Sequence, residues 1–320
     1  MKKIFTFFLA LGASVGMIWA TEGALSGAFT INADGDQIVF AQGNLQYQAS
    51  TSTWQFAANQ YDMMGSDNRN IADDYAGWID LFGWGTGNNP TNSSTDYNDY
   101  STFVDWGANA ISNGGNEVDL WRTLTKEEWV FLFYTRTNAA SLFGLGSVND
   151  INGTIILPDN WSTPQGVSFT ASTSKGLANQ GSYYRNSNGD NFSHNTYTAE
   201  QWSVMEQSGA VFLPAAGYRI GSDVYDVGAY GDYWSSKPYD TTGASGLDFY
   251  SICLFPQSND LRYGGQSVRL VQAYAAPDSE TPTAIDNSTV EAKATKRIVN
   301  GQVIIEKNGK WYNALGTEVR

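Results

Sequence analysis

The sequence is poor in the residues that carry most redox, metal and acid–base chemistry. Its 320 residues include one cysteine, Cys253, and one histidine, His194. A single thiol excludes an intrachain disulfide and a zinc site built from several cysteines. Lysine and arginine number 18 against 32 aspartates and glutamates, which gives a net charge of -14. Because an acidic surface repels phosphate backbones and anionic head groups, we expect neither a nucleic acid nor a membrane surface as partner.

Charged residues are also scarce overall, at 16%, whereas aromatic residues reach 14% and glycines number 33. This balance is typical of a loop-rich, β-containing extracellular protein rather than a cytosolic helical enzyme. The chain is long enough for one large domain or two modest ones with a substantial core.

Long hydrophobic runs are absent except at the N-terminus. There, Lys2 and Lys3 precede an apolar run over 4–20 that ends in the small residue Ala20. This order predicts a secretory signal peptide over 1–20, and hence a secreted or outer-surface protein with no membrane insertion after cleavage. The alternative is a membrane anchor, since the run nearly reaches the length that spans a bilayer.

Two distant stretches share the pattern Thr-x-Glu-Glu/Gln-Trp, at Thr125–Trp129 and Thr198–Trp202. In each, the threonine is followed three residues later by Glu128 or Gln201, which is a capping box. Each stretch therefore predicts a helix start, and the second helix is expected to end near 208–209. The alternative is that the glutamates are catalytic, but adjacent helical residues point about 100° apart and do not converge on one substrate.

The rest of the chain indicates an α+β fold with strands concentrated after the second helix. Asp34-Gly35 is a favoured hairpin turn between alternating strands. Residues 60–116 are rich in Gly, Asn, Asp and Tyr but also contain Trp and Phe, so we expect ordered loops held by buried aromatics. We assign a main domain to 28–273, a polar linker to 274–297 and a small β-meander with two Asn-Gly turns to 298–320.

A series of blocks in the main domain resembles the Fibrobacter succinogenes major paralogous domain, a family of secreted or surface proteins. The resemblance covers 28–271, in the following order: GNLQYQASTSTWQFAANQYD, GWIDLFGWGT, NAISNGG, LWRTLTKEEWVFLF, ILPDNWSTP, GAVFLPAAGYR, YGDYWSS and GGQSVRLV. That family is distantly similar to the formylglycine-generating, sulfatase-modifying enzymes, whose helix start and terminal strand correspond to WRTLTKEEW and SVRLV. The implied fold is C-type-lectin-like, with a twisted antiparallel sheet, two short helices and long loops.

The chemistry of those relatives does not carry over. Formylglycine generation uses two cysteines, and here Cys253 stands alone. The Glu-Pro-Asn and Trp-Asn-Asp motifs of calcium-binding lectins are absent. A dyad of Cys253 with His194 is conceivable, but Cys253 alternates with apolar residues on a strand, which favours a buried thiol. We therefore predict no catalytic residues and no enzyme.

Oxygen-rich segments at 66–70, 149–153 and 186–191 raise the question of calcium. None matches an EF-hand loop, and plain Asx-turns are the commoner explanation for such segments. We predict no cofactor, and a structural calcium ion remains an alternative with no ligand residue assigned.

Tryptophans in or beside Gly- and Asn-rich loops are the candidate ligand-binding residues, because sugar rings stack on aromatic planes. These candidates are Trp78, Trp84, Trp106, Trp161 and Trp234. The alternative for each is a core role, in which the ring holds an irregular loop against a sheet. Trp121, Trp129 and Trp202 are assigned to the core because of their positions at or near the helix starts.

Together these features favour a secreted or cell-surface, non-enzymatic recognition protein whose partner is a glycan or another surface protein. The C-terminal meander resembles the sorting signals of type IX secretion, which implies a tag for export or attachment. Two alternatives stay open: a degenerate or unusual enzyme of the formylglycine-generating superfamily, and a structural subunit of a surface matrix.

Overall fold

The computed structural model describes residues 22–187 and 189–275, and in the C-terminal part the strand residues 295–299, 302–307, 310–313 and 318–319. The chain divides into two compact units between Tyr274 and Ala275. The predicted signal peptide and most of the predicted linker lie outside the described residues. Among the helices that are described, none is long and apolar enough to cross a membrane.

Two α-helices are present in the described part of the first unit, α1 at Lys126–Val130 and α2 at Ala199–Gln207. Helix α1 continues directly into a π-helical turn at Phe131–Thr135. Short 3-10 turns lie at Ala49–Thr51, Gly65–Arg69, Tyr97–Tyr100, Trp106–Ala108, Ala139–Ser141, Ser172–Lys175 and Asn191–His194.

Both predicted capping boxes are confirmed. The Glu128 amide donates to Thr125 Oγ1 at 3.2 Å, and the Thr125 amide donates to Glu128 Oε2 at 2.7 Å. In α2 the Gln201 amide donates to Thr198 Oγ1 at 3.3 Å, and the Thr198 amide donates to Gln201 Oε1 at 3.0 Å. Glu128 also accepts two hydrogen bonds from Arg122, at 2.7 and 2.8 Å. Its carboxylate is therefore engaged in starting the helix, as the capping interpretation predicts.

The first unit is mixed α+β and its sheets are mostly antiparallel. Its strands are β1 Phe29–Thr30, β2 Gln37–Phe40, β3 Leu45–Gln48, β4 Thr53–Phe56, β5 Phe143–Val148, β6 Ile151–Ile156, β7 Ala178–Asn179, β8 Tyr184–Arg185, β9 Thr196–Tyr197, β10 Val211–Pro214, β11 Tyr218–Ile220, β12 Asp223–Tyr225, β13 Tyr230–Pro238, β14 Gly243–Tyr250, β15 Cys253–Leu261 and β16 Val271–Ala273. The predicted hairpin around Asp34-Gly35 is confirmed, because Phe29 pairs with Ile38 and Gly35 has a φ of +87°.

The largest sheet of the described residues has the strand order β13-β14-β15-β8-β7. A second sheet, β10-β6-β5-β9, is antiparallel except for the β5–β9 pair. A third, β1-β2-β16, joins the two ends of the unit, since Val271 pairs with Phe40. Two small hairpins, β3-β4 and β11-β12, complete the pairing.

The core consists of aromatic-rich clusters, and one of them lies beneath the long loops. Phe82, Trp84, Trp106, Trp121 and Trp234 belong to this loop cluster, all with at most 3% of their surface exposed. The expected ordering of residues 60–116 by buried aromatics is confirmed there. The other two clusters contain Trp129 and Trp202, which confirms the core role predicted for both.

One buried arginine connects loop segments to a strand by hydrogen bonds. Arg269 is fully buried and donates to Asn44 Oδ1 and to the carbonyl oxygens of Ala41, Gln60 and Phe212. A buried guanidinium is tolerated when each of its donors has an acceptor. Here the acceptors come from segments far apart in sequence, so this one side chain fixes several loops at once.

The second unit contains an antiparallel meander of β17 Thr295–Val299, β18 Gln302–Lys307, β19 Lys310–Asn313 and β20 Glu318–Val319. Val299 pairs with Gln302 and Lys307 with Lys310. The predicted Asn-Gly turns lie between these pairs, outside the described residues.

Candidate functional site

The two faces of the five-stranded sheet have different characters because strand residues alternate between them. Leu247 and Phe249 of β14 point into the first core cluster. Asp248, between them, lies on the other face, and its Cα partner across the β13–β14 pair is Asp232. Residues directly opposite each other in adjacent strands have Cβ atoms about 5 Å apart. The register therefore brings two carboxylates together on the face opposite the first core cluster.

A cavity of about 90 Å³, which we call the carboxylate cavity, lies at this place. Its lining includes Asp232, Trp234, Asp248, Ser258, Asp260 and Gln266. Gly246 lies in the lining, where a Cβ atom at this position would stand only 2.5 Å from the Tyr233 carbonyl oxygen. The β14–β15 register also shifts between Gly246 and Asp248, as at a β-bulge. No lysine, arginine or histidine lines the cavity.

The carboxylates of the cavity are short of partners. Asp232 is only 8% exposed, and its Oδ2 atom has no hydrogen-bond donor among the described residues. Asp248 Oδ1 is likewise buried and unpaired. Asp260, the most exposed of the three, accepts from the Leu261 amide at 2.7 Å and from Gln266 Nε2 at 3.1 Å.

Burial disfavours the charged form of these acids. It raises the pKa of Asp248 to about 7, with the charge of Asp260 adding to the effect. Burial also raises the pKa of Asp232 well above its ordinary value, and repulsion from Asp248 raises it further. The cavity thus contains carboxyl groups whose ionised form the protein does not stabilise, and strongly raised pKa values of this kind are common at functional sites.

An aromatic ladder crosses the same face of the sheet. The rings of Tyr183, Phe255, Tyr250 and Tyr230 follow one another with centroid distances of 4.8, 6.3 and 4.9 Å and interplanar angles of 34°, 29° and 26°. All four residues are half-buried. Because neighbouring rings cover each other's faces, the ladder presents mainly edges and hydroxyl groups.

A larger groove of about 390 Å³ lies over Trp84 and Tyr100, and we call it the loop groove. Its rim is made of amide, hydroxyl and carboxylate side chains, namely those of Asn88, Asn89, Asn92, Asp99, Ser101 and Thr102. The base is rigid. Trp84 Nε1 donates to the Ser235 carbonyl at 2.9 Å, and the Arg262 guanidinium lies 4.6 Å from the ring centroid of Trp84.

The rim of the loop groove retains free hydrogen-bonding capacity. The side chains of Asn88, Asn89, Ser101 and Thr102 are exposed and make no hydrogen bond to the described residues. Behind the rim, the fully buried Arg219 donates to the carbonyl oxygens of Leu81 and Asn92. Burial lowers the pKa of Arg219 to about 10, which leaves it charged at neutral pH. The groove thus combines a fixed base with uncommitted polar groups.

The five candidate tryptophans have different surroundings. Trp84, Trp106 and Trp234 are at most 2% exposed, so their ring faces are covered by protein and they belong to the core. Trp84 and Trp234 still border the loop groove and the carboxylate cavity, respectively. Trp78 and Trp161 are half-buried, and Trp161 Nε1 donates to Thr163 Oγ1.

Asp232 and Asp248 were not among the predicted site residues. The sequence did contain a signal, since each is an aspartate set in an otherwise aromatic or apolar strand, in YGDYW and GLDFY. What the sequence could not supply was their cross-strand pairing.

Cys253 is fully buried on β15, with its sulfur 3.0 Å from the Tyr184 carbonyl oxygen. Burial raises the pKa of the Cys253 thiol, which opposes the thiolate that a nucleophile requires. His194 lies in a 3-10 turn, and its Nδ1 atom is buried and has no hydrogen-bond partner among the described residues. The described geometry offers no activated thiol.

The oxygen-rich segments are used within the fold. Asn68, in the segment 66–70, donates to Asp80 Oδ1 at 2.7 Å and accepts from the amides of Asp80 and Leu81. Asn149 and Asp150 form the turn between β5 and β6, both at positive φ. Across the part of the chain that the structure describes, no three His, Cys, Asp or Glu side chains converge to hold a metal ion.

Comparison of the chain with models of protein families, with curated proteins and with solved structures finds no match. Function therefore has to be inferred from the two surface features just described, the carboxylate cavity and the loop groove.

Proposed function

We propose that this chain is a secreted or cell-surface recognition protein with a C-type-lectin-like fold, and that it binds a glycan in the loop groove. The resemblance of residues 28–271 to the major paralogous domain family supports the fold and the location. The observation that carries the function is the rim of exposed, unbonded amides and hydroxyls on a rigid aromatic base.

The chemistry of the groove suits a polyhydroxylated ligand. Amide and carboxylate groups donate to and accept from sugar hydroxyls, and Asn88, Asn89 and Asp99 supply both kinds of group. The volume of about 390 Å³ lies within the range of ordinary ligand pockets. Tyr97, 38% exposed, belongs to the same 3-10 turn as Asp99 and adds an exposed aromatic residue to this segment.

The rigidity of the base favours binding by a preformed site. Tyr100 is only 1% exposed, and its hydroxyl donates to the Ser94 carbonyl at 2.9 Å. Arg262, stacked on Trp84, donates to the Gly243 carbonyl at 3.1 Å. A ligand that enters such a groove orders few protein groups, so little of the binding free energy is lost to conformational entropy.

A glycan array probed with the full-length chain tests the proposal, followed by calorimetric titration of the glycans that bind. Asn88→Ala and Asn89→Ala should each weaken binding about fivefold, the equivalent of one hydrogen bond of ~1 kcal/mol. Gln180→Ala removes an exposed amide outside the groove and should have no effect. If no glycan binds, or if both groove variants bind as well as the wild type, the proposal is wrong.

A further inference from the structure

We propose that the carboxylate cavity is a second recognition site, which receives the ammonium group of a lysine side chain presented by a partner polypeptide. This site is distinct from the loop groove, and it calls for a different class of ligand. Three observations support it: the unpaired acceptors, the size of the cavity and the surface around its mouth.

The acceptors match an ammonium group in number and charge. Asp232 Oδ2 and Asp248 Oδ1 are buried and lack donors, and Asp232 as a whole is 92% buried. Gln266 also lines the cavity, and its Oε1 atom accepts no hydrogen bond from the described residues. A lysine ammonium has three N–H donors and no acceptor. It can therefore donate to all three oxygens and stabilise the ionised form of both carboxyls.

The size of the cavity selects a slender ligand. A cavity of 150 Å³ accommodates a benzene molecule, whereas this one has about 90 Å³. A sugar ring is too large to enter it. An ammonium group on an unbranched methylene chain is slender enough to enter a cavity of this size.

The surface around the cavity resembles a protein-binding surface. The β11–β12 hairpin lies next to β13 through the bridge between Gly217 and Gly231. On it, Tyr218 stacks on Tyr225 with a centroid distance of 5.5 Å, and Tyr225 is 43% exposed. Burial raises the pKa of Tyr218, and the charges of Asp226, Asp232 and Asp260 raise it further. Tyrosines around a desolvated charged pocket are typical of interface hot spots.

The test is an NMR titration of the full-length chain, labelled with ¹³C at the aspartate carboxyl carbons, at about pH 8, above the pKa of Asp248. The probe is lysine with an acetylated N-terminus and a methylamide C-terminus. The matched neutral control is norleucine with the same two caps. We expect saturable shifts of the Asp232 and Asp248 carboxyl signals with the lysine probe and none with norleucine.

Asp232→Asn should weaken binding of the lysine probe at least about tenfold, because it replaces an unpaired charged acceptor with an amide. Asp248→Asn is a second variant that serves the same purpose if the first does not fold. Asp74→Asn removes the same charge at an exposed position and should bind like the wild type.

Two further NMR titrations use calcium chloride and a glycan that binds on the array. Equal binding of the norleucine probe, unchanged affinity in both cavity variants, or shifts produced by calcium but not by lysine would each overturn the inference. If lysine produces no saturable shift while glycans bind at the groove, this inference fails and the proposed glycan recognition stands.

Discussion

Replacing Asp248 by asparagine should stabilise the protein at neutral and alkaline pH, against the usual effect of substitutions at buried positions. Asp248 is paired with Asp232 across β13 and β14, and its Oδ1 atom is buried without a donor. An asparagine has almost the same shape, carries no charge and brings an N–H group that can donate to the Asp232 carboxylate. The substitution thus removes a repulsion and supplies a missing donor.

The magnitude follows from the pKa of Asp248, which is raised from 3.8 to about 7. One pKa unit corresponds to about 1.4 kcal/mol, so ionising this carboxyl in the folded protein costs up to about 4 kcal/mol. The variant keeps the buried Asp232 carboxyl, whose own ionisation remains unfavourable, so we expect only about half of this cost to be recovered. The free energy of unfolding should therefore rise by ~2 kcal/mol. For a domain of this size that is a rise in Tm of roughly 4–8 °C.

The pH dependence gives the sharper test. Between about pH 4 and pH 7 the folded protein binds more protons at Asp248 than the unfolded chain does, so the wild-type free energy of unfolding falls as the pH rises through this window. Urea denaturation of both proteins at several pH values should give curves that meet near pH 4 and diverge up to about pH 7. Asp74→Asn should follow the wild type.

A result in which Asp248→Asn is less stable than the wild type at pH 8, or differs from it by the same amount at every pH, would refute this reasoning. It would mean that the carboxylate already has a partner in solution. Adding the capped lysine at pH 8 should stabilise the wild type and leave the Asp248→Asn variant nearly unchanged, since only the native site binds the probe.

Three further predictions follow from the fold. Thr198→Ala should lower the free energy of unfolding by about 1 kcal/mol in urea denaturation, because it removes the cap of α2; an unchanged value would show that packing alone holds the helix start. Arg269→Met should lower the free energy of unfolding by at least ~3 kcal/mol, because it leaves four acceptors unpaired in the core. We expect the variant to lose the near-UV circular dichroism signal of the folded state, and a native-like spectrum would contradict the role of Arg269 in holding the loops. Cys253 should not react with a disulfide reagent in the folded protein, because its thiol is buried, and should react fully in guanidinium chloride. Rapid labelling of the folded protein would contradict the burial of this thiol.

Local chemistry was readable from the sequence. The starts of α1 and α2 depend on a threonine and a residue three positions later, so Thr125 and Thr198 identified them correctly. The Asp34-Gly35 hairpin was likewise fixed by a turn of adjacent residues. The π-helical continuation of α1 at Phe131–Thr135 was not foreseen.

The candidate sites depend on long-range register, which one sequence does not specify. Asp232 and Asp248 meet only because β13 and β14 pair as they do, next to an irregularity after Gly246. The burial of Trp84 and Trp234 has the same origin, since their indole nitrogens donate to the carbonyls of Ser235 and Phe82, about 150 residues away in sequence. Composition indicated an aromatic, amide-rich surface, but only the fold separates rings that support loops from rings that border a site.

The sheet that joins β1 and β2 to β16 has a consequence for biosynthesis. Phe40 cannot pair with Val271, and Asn44 cannot accept from Arg269, until the later residue of each pair has been synthesised. During synthesis, most of this unit therefore leaves the ribosome before β16 is available to pair with β2 and before the core is complete. The unit can therefore complete this sheet only after its last strand, β16, has been synthesised.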